Sequence, residues 1–352
     1  MLGYDSIYRA DITPIETKDL YVVTCVSNPA RYKSRYHLYR KFAEHIAQLG
    51  GKLYTVELAT GDRPFEVTQA DDHTDIQLRT RGELWHKENM LNIAISRLPS
   101  DWKYVAWVDA DITFQRPDIL TETVQQLQHY DFVQMFSTAL DLGPAPLNNV
   151  IGVNYGFGYC YTHRHEPELE IPALEIDGVL NPKRMTAAPK YNGYAMTHKK
   201  QVYYHPGFSW AARRDALDAV GGLFDMGILG AGDHHMALSL VGRGLEAIPN
   251  GASEDYKSQV ARWQGESERH IKRNIGYVPG VITHNYHGSK ADRKYWDRWK
   301  ILVDNDFRPT RDLKKDSQGL WQLVNNGDNR LINLRDQIRM YFRQRNEDSG
   351  AV

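Results

Sequence analysis

Apolar residues in this chain come in short bursts separated by amphipathic stretches. Leu20-Tyr21-Val22-Val23-Thr24-Cys25-Val26 is a continuous β-rich run, broken by Ser27-Asn28-Pro29. Residues 31–49 then put Tyr32, Tyr36, Tyr39, Phe42, Ile46 and Leu49 on one side of a helix, which Gly50-Gly51 ends. Residues 52–58 read as a second strand, 83–97 as a helix stopped by Pro99, and 102–108 as a buried strand. A helix over 118–129 and a strand over 132–136 continue the alternation. Strand, helix and strand joined by short connections predict a mostly parallel sheet with helices on both faces.

The pattern changes at 137. Residues 137–204 are rich in Gly, Pro, Asn, Tyr and His with little periodicity, and predict an irregular, substrate-facing insertion. Regularity returns at 202–210, followed by helices over 213–220, 233–241 and 256–274 and a late strand over 278–283. Residues 290–345 read as mainly helical. The expected organisation is a domain over 1–300, with a nucleotide-binding half at about 18–136 and an acceptor half at about 205–300. A helical, basic extension follows at 301–352.

The chemistry starts at Asp109-Ala110-Asp111, which closes the 102–108 strand. Carboxylates at i and i+2 of an extended segment share a face, and the carboxyl ends of parallel strands are where ligands gather in such sheets. The pair is expected to hold one divalent cation through oxygen ligands. Such an ion can clamp a diphosphate and offset the charge that builds as it leaves.

Formal net charge is −1 over 352 residues, so the whole molecule is not an obvious polyanion binder. Its distribution is uneven: residues 256–345 hold 19 Lys and Arg against 10 Asp and Glu. That surplus can face phosphates or be a set of solvated helix faces. The two cysteines, Cys25 and Cys160, suggest neither a disulfide framework nor a zinc site. Residues 1–11 carry no apolar signal-peptide core, and no run approaches the roughly 18–20 apolar residues of a membrane span. A soluble, cytoplasmic chain is expected.

Together the motifs resemble the GT-A class of metal-dependent glycosyltransferases, family 2 and β-1,4-galactosyltransferase-like enzymes among them, over roughly residues 20–300. The segment from Asn28 to Leu38 is similar to their nucleotide-cradling Pro-x-Arg-x-Arg type, although Arg31 and Arg35 are spaced by four. Read as helix-face neighbours beside a helix N-terminus, they suit a phosphate. Asp109-Ala110-Asp111 matches the Asp-x-Asp signature. The resemblance implies Thr24, Val26, Asn28, Arg31, Arg35, Lys87, Asp109 and Ala110 at the donor. Gly207-Phe208-Ser209-Trp210 and Gly230-Ala231-Gly232-Asp233-His234-His235 resemble the segments that approach donor sugar and acceptor. Gly207, Phe208, Trp210 and Gly232 are thereby implied at the acceptor, with Asp233, or alternatively His234, as general base. His284-Asn285-Tyr286-His287-Gly288 resembles the late segment that supplies a metal ligand, with His287 preferred over His284. Lys290 and Arg293 are implied at the phosphates.

The resemblance implies a nucleotide-diphosphate sugar, most readily UDP-linked, with Mn²⁺ (or Mg²⁺) held by Asp109, Asp111 and His287 or His284. An inverting displacement with Asp233 as base is favoured over a retaining one. The acceptor stays open among a glycan, a protein side chain and a hydroxylated DNA base of the phage-modification kind. Two rival readings are a donor-binding scaffold without turnover and a nucleotidyltransferase. Ser27-Asn28-Pro29-Ala30 is not the Gly-rich phosphate loop that the second of these requires. Sugar and oligomeric state are not legible.

Overall fold

The computed structural model describes residues 17–163, 169–170, 174–176, 179–181, 184–185, 204–289, 292–294 and 297–349. Strands β1 (Leu20–Ser27), β2 (Lys52–Thr60), β3 (Asp75–Thr80) and β4 (Tyr104–Val108) alternate with α1 (Lys33–Gln48) and α2 (Lys87–Ser96). Then come β5 (Ile112–Phe114), α3 (Ile119–Gln126), β6 (Phe132–Gln134), β7 (Thr138–Leu142), β8 (Val150–Gly156) and α4 (Phe157–Thr162). Short strands β9 (Leu169–Glu170), β10 (Leu174–Ile176), β11 (Val179–Asn181) and β12 (Arg184–Met185) pair as β10–β11 and β12–β9. The chain continues through β13 (Tyr204–His205), β14 (Ser209–Arg213), α5 (Arg214–Ala219), α6 (Gly232–Leu240), α7 (Glu254–His270), β15 (Ile275–Tyr277) and β16 (Val281–His284). It ends with α8 (Asp297–Asp304), α9 (Pro309–Asp312), the hairpin β17 (Leu313–Lys315) and β18 (Trp321–Leu323), and α10 (Asn329–Gln344).

The central sheet runs β15-β6-β14-β4-β1-β2-β3. Every pairing is parallel except the two made by β14. This is the mixed α/β architecture, with a mostly parallel sheet, that the alternation predicts. Its central strands are apolar on both faces because both are covered. Leu20 and Val22 of β1 join Ala106 and Val108 of β4 under Phe42 and Ile46 of α1. Tyr21, Val23, Val105 and Trp107 point the other way, to Met90, Leu91 and Ala94 of α2. A second sheet, β13-β8-β7-β16-β5, lies beside the carboxyl end of β4.

Several elements differ from the expectation. Helix α2 begins at Lys87, not 83, because the preceding residues are held elsewhere: Glu83 pairs with Arg343, and the His86 ring bonds Trp321 O at 2.8 Å. The late strand starts at Val281, not 278, because Pro279-Gly280 precedes it, and a separate short strand that was not expected, β15, joins the central sheet just before. Residues 138–162, expected within an irregular insertion, form β7, β8 and α4. The polar Asp141 in a buried slot of β7 and the Gly and Asn in β8 hid the strand alternation. Lys290 and much of the 137–204 insertion lie outside the described residues.

The C-terminal residues are neither all helical nor set apart. Leu331, Leu334, Ile338, Tyr341 and Phe342 form the apolar stripe of α10 and join the core beneath α2 and α6. Much of the basic surplus is spent on pairs inside the fold. Arg330 meets the buried Asp312 at 2.7 Å, and Arg339 and Arg343 both reach Glu83. No helix among the described residues is long and apolar enough to cross a membrane.

Candidate active site and metal centre

A cleft of about 540 Å³ opens at the carboxyl end of β1 and β4. Val26, Arg35, Lys87, Asp109, Ala110, Asp111, Phe208, Asp233, His234, His284, His287 and Arg293 all line it. The fold thus gathers residues spread over more than 250 positions.

Topology explains the first cluster. In the second sheet, His284 at the end of β16 is in register with Ile112 of β5 on one side and Asp141 of β7 on the other. Ile112 directly follows Asp111, and Asn285 locks the turn by donating its backbone N–H to Asp111 O at 2.8 Å. Asp111, His284 and His287 consequently bring ligand atoms within 4.8 Å of one another. His287 Nε2 is 3.0 Å from Asp111 Oδ2 and 3.2 Å from His284 Nε2. With metal–nitrogen bonds of about 2.1 Å, that last separation suits two neighbouring positions on one ion.

The residues fit a divalent cation on their own evidence. His287 Nε2 faces a carboxylate oxygen, a second imidazole nitrogen and the Arg293 guanidinium at 3.0 Å, demands that no single tautomer meets. Buried Asp111 Oδ1 has no hydrogen-bond partner among the described residues. An oxygen and two imidazoles make a donor set suited to a first-row divalent cation. Burial opposes the Asp111 charge, but His287, His284 and Arg293 outweigh it and hold the carboxyl well below the usual range. Burial lowers the His284 pKa, against the pull of Asp141.

Asp109 is not among the three grouped ligands. The strand ends at Val108 and the next residues form a turn, so the i, i+2 rule of an extended segment does not apply. Asp109 forms an ion pair with Lys87 instead. Burial works against the Lys87 ammonium, but Asp109, Asp233 and Glu88 hold its pKa above that of an ordinary lysine.

Asp233 opens α6, behind Ala231 at φ +72°. Phe208, which also lines the cleft, has φ +72° too, and its carbonyl accepts from Asp109 N at 2.8 Å. Left-handed backbone at two non-glycine residues flanking one cleft is strain of the kind concentrated at functional sites. Burial opposes the Asp233 charge, yet Lys87, His205 and His234 hold its pKa below the ordinary value, so it is a carboxylate at neutral pH. His234 is pushed down to about 4 by burial and is neutral. Glu88, in the first turn of α2, is pushed up to about 8, again by burial.

Other expected contacts lie elsewhere. Thr24 Oγ1 donates to Val108 O at 2.7 Å, tying β1 to β4 behind the cleft wall. Asn28 brackets Tyr32 through both amide atoms. Arg31 sits in that turn at φ +63°, exposed and ahead of α1, so it shares no helix face with Arg35. Arg35 lines the cleft but is held by Glu347, at 2.5 Å and 2.8 Å. The N-terminus of α1, expected to attract phosphate, is capped by Asp348 through Lys33 N at 3.0 Å and Ser34 N at 2.9 Å. Trp210 is a core residue whose Nε1 donates to Pro206 O. Gly207 and Gly232 do not line the cleft; they admit close approach of Asp233 and Glu88.

Sequence reasoning missed Asp141, Glu88, Arg298, Arg345 and Glu347. Asp141 accepts from His284 Nδ1 at 2.8 Å and from Asn154 Nδ2 at 2.7 Å. Its signal was a lone acid in a short strand. Arg298 and Arg345 come from the basic surplus, part of which points into the cleft. Glu347 carried no signal.

No protein-family model and no curated protein matches the sequence. Solved structures similar to the chain include a Desulfovibrio desulfuricans G20 protein described as a nucleotide-diphospho-sugar transferase. It is 12% identical and covers 92% of this chain and 98% of its own, with a TM-score of 0.31. The catalytic domain of Drosophila β1,4-galactosyltransferase 7, in complex with xylobiose, is 11% identical over 91% of this chain and 98% of its own, at 0.33. The 4-diphosphocytidyl-2C-methyl-D-erythritol synthase of Anaerococcus prevotii DSM 20548 is 8% identical over 76% and 88%, at 0.32. At TM-scores this low, none of the three passes a residue role or an activity to this chain.

Proposed function

We propose that the chain is a GT-A-type glycosyltransferase that moves a sugar from a nucleotide-diphosphate donor, UDP-linked, to an acceptor hydroxyl. One observation carries the reading. A cation-ready cluster and a separate, ionised carboxylate, Asp233, line the same cleft at the carboxyl edge of a mostly parallel sheet. Asp111, His284 and His287 would hold Mn²⁺. The ion, when bound, offsets negative charge on the departing diphosphate.

The chain's own residues divide the remaining work. Lys87, Arg293, Arg298 and Arg345 place cations in the cleft beside its carboxylates, where they can meet the phosphates of an anionic donor. Asp109 neutralises and orients Lys87. Asp233 accepts the proton of the acceptor hydroxyl as that oxygen attacks the anomeric carbon and the sugar–phosphate bond breaks. A single displacement of this kind inverts the anomeric centre. A donor-binding scaffold would use the cation cluster but has no use for an ionised carboxylate at 233. The acceptor is a glycan, a protein side chain or a hydroxylated DNA base.

The test is a thermal-shift panel of UDP-, GDP-, ADP-, CMP- and dTDP-sugars, with and without Mn²⁺. Binding to the native state raises the melting temperature by mass action. A Mn²⁺-dependent shift with UDP-sugars is expected; no shift with any donor in either condition would remove the reading.

A further inference from the structure

The C-terminal segment 345–348 packs against the start of α1 beside the cleft, which Arg345 lines. Tyr32 Oη donates to Phe342 O at 2.9 Å and accepts from Asn346 N at 3.0 Å. Ser34 Oγ donates to Glu347 O at 3.2 Å, and Asp348 caps α1. Glu347 is fully buried between two arginines, with Arg345 Nε at 2.5 Å in addition to Arg35. The histidine loop fits closely against this segment. Gly288 has φ +88°, and a Cβ there would lie 2.9 Å from Glu347 Cα.

Each histidine of the cluster has a carboxylate on the Nδ1 side of its ring. An imidazole that binds a metal through Nε2 carries its proton on Nδ1, and that N–H needs an acceptor to fix ring orientation and raise ligand basicity. For His284 the acceptor is Asp141, at 2.8 Å. For His287 the nearest carboxylate oxygen is Glu347 Oε2, at 3.7 Å from Nδ1. His287 Nδ1 is buried and has no hydrogen bond among the described residues. A movement of under about 1 Å closes that gap to hydrogen-bond length.

Resting on the metal reading above, we propose that Glu347 is a positioning residue for His287, so that docking of the C-terminal segment and binding of the cation are coupled. The coupling runs both ways, because a tail that improves the ion's affinity is itself held by the ion to the same factor.

The test uses the full chain and Mn²⁺ alone, with affinity measured by titration calorimetry or by the EPR signal of free Mn²⁺. Glu347→Ala is expected to weaken Mn²⁺ binding about tenfold or more. Glu347→Gln, whose carbonyl can still accept from Nδ1, is expected to recover part of the loss. Asp348→Asn, which loosens the segment without touching His287, should weaken binding by less than Glu347→Ala. In the wild-type chain, Mn²⁺ is expected to slow amide exchange over 345–349. Unchanged affinity in a folded Glu347→Ala variant would overturn the proposal. So would tail exchange that ignores Mn²⁺ in the wild type, a measurement that stands even if the variants do not fold. A wild-type chain that binds no Mn²⁺ overturns the metal reading itself, and this proposal with it.

Discussion

Asp141 Oδ1 lies 2.8 Å from Nδ1 of His284, and both side chains are buried. The contact joins adjacent strands, β7 and β16, where the two residues are register partners. It aims His284 Nε2 at Asp111 and His287, and Asn154 holds Asp141 from behind. Asp141→Asn removes the charge that favours the Nδ1–H form while keeping the volume. Mn²⁺ affinity is expected to fall about ten- to a hundredfold, measured by calorimetry. Unchanged affinity would show that Asp141 only fills a buried slot.

The cluster itself makes a stronger claim. Asp111→Asn removes the only carboxylate among the three grouped ligands, and His284→Ala removes a nitrogen. Either variant is expected to lose the rise in melting temperature that Mn²⁺ gives the wild-type chain. Chelation of the wild-type protein should have the same effect, since a ligand that binds only the folded state stabilises it in proportion to its occupancy. Asp109→Asn makes the contrast, because Asp109 pairs with Lys87 and is not among the three grouped ligands. It should keep most of the Mn²⁺ response; equal loss in both Asp variants would return Asp109 to the ligand set.

Asp233 is assigned to proton transfer, not to donor binding. Asp233→Asn is expected to lower kcat by about 10²- to 10⁴-fold and to leave UDP and Mn²⁺ binding near the wild-type level. The check is transfer kinetics beside a thermal shift with UDP and Mn²⁺. Substantial transfer by the Asn variant would take Asp233 out of the role and shift weight to His234, the neutral imidazole beside it, or to a retaining reaction.

What was legible in the chain was local. The strand into Asp109, the glycines before Asp233 and the His284–His287 loop each declare themselves within a dozen residues. Their appearance in one cleft follows from the carboxyl-edge rule for parallel sheets. Partners that depend on long-range register were silent. Asp141 meets His284 across 143 positions and Glu347 meets Arg35 across 312. Arg31 and Arg35 show the converse error, because a helix-face argument fails when the helix starts two residues late. The Asp-x-Asp pair was read by a period-2 rule that holds only while the strand lasts, and the strand ends at Val108.

Glu88 gives a prediction about stability. Burial, with Asp233 and Asp109 nearby, raises its pKa from 4.5 to about 8, while Lys87 pulls the other way. Between those values the folded chain keeps a proton at this carboxyl that the unfolded chain has lost. Unfolding then releases that proton, so the Glu88 contribution to stability falls as pH rises from about 4.5 towards 8. Glu88→Gln keeps the shape and removes the titration. Measured by urea unfolding, the wild-type chain should lose about 2 kcal/mol relative to the Gln variant between pH 5.5 and 7.5. A constant difference between the two across that window would mean that Glu88 is ionised in the folded state, its charge held by Lys87, and that the cleft floor carries one more negative charge than the geometry assigns.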